Sequence, residues 1–105
     1  MKYVVEFSKI AIRDLDRVRN EVYAASRSDE TAGKYVDDLL DSIEEKDDFP
    51  QSSPPLYYGN RFTGYYFIVF KAYIAFYRLE KDVIFVERVL YGKSNYLKYL
   101  HISNM

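Results

Sequence analysis

Side chains that could move protons or stabilise negative charge gather toward the C-terminal end of the sequence. Arg88 and Lys93 are cations, Tyr99 and His101 can donate or accept a proton, and Tyr96 lies between them. Cations can stabilise negative charge that develops in a reaction, and a general acid or base can transfer protons. These side chains could therefore belong to an enzyme site. Residues near a chain end are usually mobile, however, so a frayed tail without a chemical role is the simpler interpretation.

Two arginines lie on adjoining predicted strands. The connecting turn at 79–82 has an even length, which predicts that Arg88 shares a face of the sheet with Tyr73 and Tyr77, whereas Arg78 lies on the opposite face. On that register the two arginines do not form one site. Arg88 either faces a binding partner, or it pairs with an acidic group of the protein itself, and the sequence leaves both alternatives open.

Composition excludes several other chemistries. The chain has no Cys and one His, which rules out disulfides, thiol nucleophiles and Cys/His zinc sites. The acidic run at 37–48 places its charges between Leu39, Leu40 and Ile43, which indicates the solvated face of a helix rather than a metal site. We expect no metal and no cofactor.

Charge is divided unevenly along the chain. Residues 1–59 hold 8 Lys and Arg against 13 Asp and Glu, whereas 60–105 hold 7 against 3. The basic half could meet an acidic peptide or a nucleic acid, but a net charge of −1 disfavours non-specific binding to phosphate backbones. The sequence shows no signal peptide and no apolar run near the roughly 20 residues of a membrane span, so we expect a cytoplasmic protein that does not enter membranes.

The first half of the chain predicts one strand and two helices. Residues 2–7 are β-branched and aromatic and predict a strand. Ser8 is placed to cap a helix over about 9–25, and Ser28 is placed to cap a second helix. The second helix must end near Asp48 because Pro50 disfavours helical backbone at the residue before it. Apolar residues recur at helical spacing in the first helix: Ile12, Leu15, Val18 and Val22.

The second half predicts strands. Two prolines and Gly59-Asn60 indicate an irregular loop at 50–60, and aromatic, β-branched runs at 64–70, 72–79 and 82–91 predict an antiparallel meander. A last helical turn begins at Ser94 or Asn95. We therefore predict one α+β domain over 1–105, in the order β-α-α-β-β-β(-α), with a helical hairpin packed on a small antiparallel sheet. Four tyrosines of these strands could stack on bases, but a core role is the more common one: Tyr65, Tyr66, Tyr73 and Tyr77.

The stretch from Lys71 to Lys93 resembles the RelE/ParE superfamily of toxins from type II toxin–antitoxin systems. Family-like positions in it are Tyr73, Phe76, Tyr77, Arg88, Val89, Leu90 and Gly92. A looser similarity is Phe49-Pro50 at the end of the second helix. The resemblance covers about 1–100 and implies the same element order, with two helices against a small antiparallel sheet.

Departures from the family pattern bear on function. The ribosome-dependent ribonuclease branch would place an Arg where this chain has Ile74, and another where it has Ser94. Tyr91 stands in place of a His, and Ser94-Asn95 replace a basic-acidic pair. The resemblance is thus closer to the ParE-like, plasmid-stabilisation branch.

The resemblance implies three hypotheses about function. The first is a ParE-like toxin that inhibits growth by contact with DNA gyrase and is neutralised by a cognate antitoxin. The second is a ribosome-dependent mRNA endoribonuclease, for which the catalytic candidates are Arg88, Lys93, Tyr99 and His101. The third is a non-toxic relative that binds an antitoxin. The candidates for contact with a target or antitoxin are Tyr73, Tyr77, Arg78, Arg88, Lys93 and Tyr96.

Overall fold

A computed structural model describes residues 2–102 of the chain. Its elements are β1 (Val4–Phe7), α1 (Lys9–Ser26), α2 (Asp29–Glu44), a 3-10 turn (Pro50–Ser52), β2 (Pro55–Tyr58), β3 (Arg61–Phe70), β4 (Tyr73–Glu80), β5 (Val83–Tyr91) and α3 (Tyr96–Tyr99). The predicted α+β class, with a helical hairpin on a sheet, is confirmed. None of the helices in this part of the chain has the length and apolar character needed to cross a bilayer.

Both helices begin where their caps predict. The Ser8 side chain accepts a hydrogen bond from the Ala11 N–H, and the Ser28 side chain accepts one from the Thr31 N–H. Each cap satisfies a backbone donor that has no partner within the helix. Helix α2 ends at Glu44 rather than near Asp48. The residues that follow turn toward β1, where the Tyr3 N–H donates to the Asp47 carbonyl at 2.7 Å.

The sheet has five strands in the order β1-β5-β4-β3-β2 and is mixed rather than fully antiparallel. Strand β1 pairs in parallel with β5, because the helical hairpin carries the chain away from it and the meander returns β5 beside it. The predicted irregular loop at 50–60 also holds β2. This strand lies at the sheet edge, where the missing N–H of Pro55 is tolerated.

Two apolar clusters occupy the two faces of the sheet. Helices α1 and α2 cover one face, where Val18 and Leu39 pack with Tyr77 and Val86. The prediction for α1 was wrong at Ile12, which is half-exposed. The core side of that turn holds Ala11, Asp14 and Val18 instead.

The four tyrosines of the meander belong to this packing. The rings of Tyr66 and Tyr77 stack at 5.7 Å, Tyr73 and Tyr77 are buried, and Tyr65 packs beside Phe76 on the other face. The core interpretation is confirmed for Tyr73 and Tyr77, whereas Tyr65 and Tyr66 are half-buried and pack at the margins of the core.

The C-terminal segment covers part of the second face. Leu100 is buried with Leu56, Phe76 and Leu90, and the tilted rings of Tyr96 and Phe76 pack with their centroids 5.1 Å apart. The interpretation of this segment as a frayed tail is therefore wrong as far as Ile102. Apolar burial against the sheet outweighs the freedom of a chain end there.

Strand β3 carries a bulge at Gly64. Pro55 pairs with Tyr66 and Tyr57 pairs with Phe62, so β3 contains two more residues than β2 between these pairs. Gly64 has a φ of +91°, a conformation that side chains with a Cβ rarely adopt. The bulge bends β3 so that it can pair with the short edge strand.

We predict opposite effects of alanine at two glycines. Gly64→Ala should lower the free energy of unfolding by about 1–2 kcal/mol, because the positive φ is strained for alanine. Gly33→Ala, within α2, should raise it by about 0.5–1 kcal/mol through higher helix propensity, since an added Cβ would meet its nearest atom at 4.0 Å. Urea unfolding followed by circular dichroism measures both. Equal effects of the two substitutions would contradict the proposed role of the bulge.

Candidate functional site

Strand β5 is longer than the strand that pairs with its outer edge. Phe7 is the last residue of β1 and pairs with Val86, so the backbone of 87–91 continues beyond it. Side chains of α1 and of its N-cap residue satisfy this backbone. The Ser8 hydroxyl donates to the Glu87 carbonyl at 2.7 Å, and Arg17 Nη2 donates to the Val89 carbonyl at 2.9 Å. Helix α1 therefore closes an edge that would otherwise offer backbone groups to another strand.

Asp14 is the centre of this arrangement. Its side chain is buried, with the residue only 1% exposed, and Oδ2 accepts from the Val89 N–H at 2.9 Å and from Arg88 Nε at 2.8 Å. Oδ1 accepts from Arg17 Nη1 at 2.8 Å and from Arg88 Nη2 at 3.1 Å. A buried carboxylate is costly unless it is paired and hydrogen-bonded, and these four donors supply both conditions.

Arg88 is thus the partner of an acidic group. The hydrogen bond to Asp14 raises the pKa of its guanidinium, and its charge opposes that of Asp14 rather than standing free on a surface. The guanidinium carbon also lies 5.4 Å from the centre of the Tyr99 ring, a cation–π distance that links the end of α3 to the same network.

The predicted face of Arg88 was wrong. Phe76 pairs with Arg88 while Tyr77 pairs with Val86, so Glu87 is an extra residue in β5. This bulge moves Arg88 to the face of Phe76 and Arg78, opposite the buried Tyr73 and Tyr77. An even-length turn does not reveal an extra residue farther along the strand.

Arg78 has its own acidic partners. Its Nη2 donates to Glu87 Oε1 at 2.6 Å, and its Nη1 lies 3.0 Å from Glu80 Oε1. The hydrogen bond to Glu87 raises the pKa of Arg78. This ion pair is partly exposed, so a binding partner could still reach the guanidinium.

The structure brings together three of the four catalytic candidates. Arg88, Tyr99 and His101 line one small cleft, together with Ser8, Ile10, Tyr65, Glu87 and Leu100. Lys93 is exposed and is not among the residues that line this cleft. A second cleft shares Arg88 and Tyr99 with the first and is also bordered by Arg17 and Ser94.

Two candidates for partner contact lie inside the protein. The Tyr73 hydroxyl donates to Glu21 Oε1 at 2.6 Å, and the Tyr77 hydroxyl donates to the Pro50 carbonyl. Burial raises the pKa of both phenols, and the bond to Glu21 raises that of Tyr73 further. These positions favour a structural role.

Sequence reasoning missed Asp14, Ser8 as a β5 partner, and Arg17. Asp14 occupies an inward helical position between Ala11 and Val18, and that spacing was the available signal. Within 2–102, no group of three or more His, Cys, Asp and Glu side chains is arranged to hold a metal ion.

Comparison with known protein families identifies the family of this chain. Residues 5–96 match the family described as the ParE toxin of the type II toxin–antitoxin system, parDE. The chain belongs to the ParE toxin family. It is thus a ParE-type toxin of a type II toxin–antitoxin system. A search of curated protein sequences finds no match.

Solved structures share the fold of this toxin at low sequence identity. A chain of the chromosomal ParDE TA system from P. aeruginosa superposes with a TM-score of 0.71 and 16% identity, covering 86% of this chain and 96% of its own. A chain of the toxin–antitoxin complex RelBE2 from Mycobacterium tuberculosis gives 0.58 and 19%, covering 87% and 99%. At such identities the likeness shows the fold alone.

We predict that Asp14→Asn lowers the free energy of unfolding of the toxin by about 3–5 kcal/mol, because it leaves Arg88 without its buried counter-charge. The matched control Asp16→Asn, at an exposed position of the same helix, should stay within about 0.5 kcal/mol. Combining Asp14→Asn with Arg88→Met should recover part of the loss, because neither charge then remains. Urea unfolding measures all three. A loss below about 1 kcal/mol for Asp14→Asn would contradict the central role of this carboxylate.

Alkaline pH should destabilise the toxin partly through Tyr73. Because its pKa is raised in the folded state, the phenol stays neutral where the unfolded chain ionises. The contribution of Tyr73 to the free energy of unfolding is fully present below about pH 10, the ordinary pKa of tyrosine. It is lost as the pH rises above that value.

Tyr73→Phe should therefore flatten the fall in the free energy of unfolding above about pH 10. Tyr65 and Tyr77, whose pKa burial also raises, leave part of the slope in place. Urea unfolding across pH tests this, and an unchanged slope in Tyr73→Phe would refute it.

Proposed function

We propose that this toxin inhibits DNA gyrase by direct contact, and that a cognate antitoxin neutralises it. The observation that carries the proposal is the engagement of Arg88 by buried Asp14. A ribonuclease would need this strand cation to stabilise charge on the phosphorane. Here its charge is already opposed by a carboxylate inside the protein.

Local structure at two other positions supports the same conclusion. Ile74, where the ribonuclease branch would have an Arg, packs with Phe76 and Leu90 on the α3 side of the sheet. The Ser94 hydroxyl, at the second such position, donates to the Tyr91 carbonyl at 2.6 Å and closes a turn. Ile74 serves packing and Ser94 serves local geometry. Neither position supplies a cation that could stabilise charge during RNA cleavage.

An antitoxin partner follows from the family and from charge. The ParE family is half of a parDE pair, and residues 60–105 carry an excess of basic side chains. An antitoxin segment rich in Asp and Glu would complement that half. Exposed Lys93 and the partly exposed guanidinium of Arg78 are the cations we assign to contact with a target or antitoxin.

The endoribonuclease is the second candidate, because Arg88, Tyr99 and His101 do line one cleft. A phenol and an imidazole beside a guanidinium could move protons during RNA cleavage. The two functions predict different targets and different effects of the same substitutions.

We predict that the purified toxin inhibits ATP-dependent supercoiling by purified gyrase, and that the product of a short reading frame beside its gene reverses the inhibition. The double variant Tyr99→Phe/His101→Ala should inhibit gyrase as well as the wild type, within about twofold, since neither side chain has a catalytic role in this mechanism. Lys93→Glu should inhibit more weakly, because it reverses an exposed contact charge.

The contradicting result is intact supercoiling at any toxin concentration. If the toxin also cleaved mRNA on translating ribosomes, and the double variant did not, the endoribonuclease would replace the proposal. If neither activity appeared and the antitoxin still bound, the chain would be a non-toxic relative.

A further inference from the structure

The second cleft lies at the end of strand β5, between α1 and the C-terminal segment. It has a volume of about 200 Å³, and its lining residues are Arg17, Arg88, Leu90, Tyr91, Ser94 and Tyr99. Sites for cofactors and drug-sized ligands usually measure about 300–1,000 Å³. The second cleft is smaller than these, and its size fits a single side chain of a binding partner.

The backbone of Tyr91 offers a free hydrogen-bond donor at this cleft. The N–H and the carbonyl of Val89 point away from β4, and Asp14 and Arg17 bind them there. Because the direction of bonding alternates along an antiparallel strand, the N–H and the carbonyl of Tyr91 point to the same side. Ser94 binds this carbonyl, but no hydrogen bond within residues 2–102 satisfies the Tyr91 N–H. A backbone donor in this position suits an acceptor from a partner.

Arg17 places a partly free guanidinium beside this donor. Its Nη1 donates to Asp14 at 2.8 Å and its Nη2 to the Val89 carbonyl at 2.9 Å, which uses two of the five N–H groups that a guanidinium carries. The side chain of Arg17 is 41% exposed, whereas that of Arg88 is 16% exposed. Nε of Arg17 lies 4.0 Å from Glu21, beyond hydrogen-bonding distance, and Glu21 is itself half-exposed. An exposed ion pair of this length contributes little, so Arg17 is available to another anion.

The charges around the cleft favour one small anion. The guanidinium groups of Arg17 and Arg88 share the single carboxylate of Asp14, so positive charge is in excess, and Lys93 is exposed in the adjoining turn. A nucleic-acid strand would bring a row of phosphates, and the half-exposed carboxylate of Glu21 beside Arg17 would repel them. A planar carboxylate matches the fork of a guanidinium and brings one negative charge. These observations favour an acidic side chain over nucleic acid.

The walls of the cleft suit the apolar part of such a side chain. Tyr91 is 44% exposed and Tyr99 is 45% exposed, and buried Leu90 also lines the cleft. Aromatic rings of this kind pack against the methylene groups that precede a charged group. They also exclude water around the carboxylate, which strengthens its hydrogen bonds.

We propose that the second cleft binds an Asp or Glu side chain of the antitoxin, with the Arg17 guanidinium and the Tyr91 N–H donating to its carboxylate. This inference rests on the antitoxin part of the proposed function and gives that contact a site, but it does not depend on gyrase. Arg88 holds Asp14 and contributes charge, whereas Arg17 makes the contact. Neither Arg17 nor the Tyr91 backbone was among the residues that the sequence suggested for partner binding.

The test is titration of the isotope-labelled full chain with a capped peptide of about ten residues, Ala and Leu with two Glu, followed by amide chemical shifts. The Tyr91 amide should shift downfield as its N–H gains an acceptor, with smaller shifts at Leu90 and Ser94, and added salt should weaken binding. A peptide with Gln in place of Glu should bind about tenfold more weakly, because it lacks the charge.

Substitutions separate this contact from general charge effects. Arg17→Gln should weaken binding of the Glu peptide about tenfold. Arg19→Gln is the matched control, because Arg19 is a similarly exposed arginine of the same helix that lies toward α2, and binding should stay within about twofold. Glu21→Gln should strengthen binding about twofold, because it removes a competing carboxylate while its amide oxygen still accepts from the Tyr73 hydroxyl. Glu21→Gln serves as the test if Arg17→Gln does not fold.

The proposal fails if the Glu peptide leaves the Tyr91 amide unshifted, or if the Gln peptide binds equally well. Equal binding of the Glu peptide by folded Arg17→Gln and by the wild type would also refute it. Tighter binding of a short oligouridylate at the same amides would assign the cleft to nucleic acid instead.

The gyrase assay separates this inference from the proposed function. If the antitoxin reversed gyrase inhibition by Arg17→Gln and by wild-type toxin at equal concentrations, the inference would fail while the proposed function stood. If the toxin left supercoiling intact but bound the Glu peptide through Arg17, the gyrase proposal would fail and the second cleft would stand as a site for acidic segments.

Discussion

The buried carboxylate of Asp14 links three elements that are distant in the sequence: α1, β5 and, through Arg88, α3. It accepts one hydrogen bond from the backbone N–H of Val89 and two from the guanidinium of Arg88. These bonds fix α1 against residues 87–91 of β5, which do not pair with β1. Arg88 in turn lies over the ring of Tyr99 and so links the end of α3 to the helix. A buried charge is tolerated here because all of these donors bind it. The effects of substituting them are therefore coupled rather than additive.

Local signals in the sequence were sufficient for most elements. Capping serines, helical periodicity and aromatic runs predicted both long helices and the three-stranded meander, because these features depend on neighbouring residues. The parallel pairing of β1 with β5 depends on which strands meet after the hairpin closes, and no residue pattern encoded it. Strand β2 was missed because a Pro-Pro pair predicts a loop, whereas an edge strand accepts proline.

The candidate site was harder to predict for a related reason. A bulge adds one residue without any distinctive letter, so the run around Glu87 looked like a regular strand and Arg88 was assigned to the wrong face. Its pairing with an acidic group was one of two alternatives that the sequence offered, but the partner, 74 residues earlier, was not identified. Asp14 was not recognised because an acidic residue in a helix is normally expected to be exposed. Its burial follows only from knowing which side of α1 faces the core.

Arg88 and Tyr99, which resemble catalytic residues, take part in the network that fixes α1 against β5. We propose that the toxin acts through its surface on gyrase. The most direct measurement is the incorporation of labelled thymidine and labelled methionine in growing bacteria during the first minutes after the toxin is induced alone. The account predicts that DNA synthesis falls first while protein synthesis continues. An early arrest of protein synthesis, with DNA synthesis sustained, would contradict it.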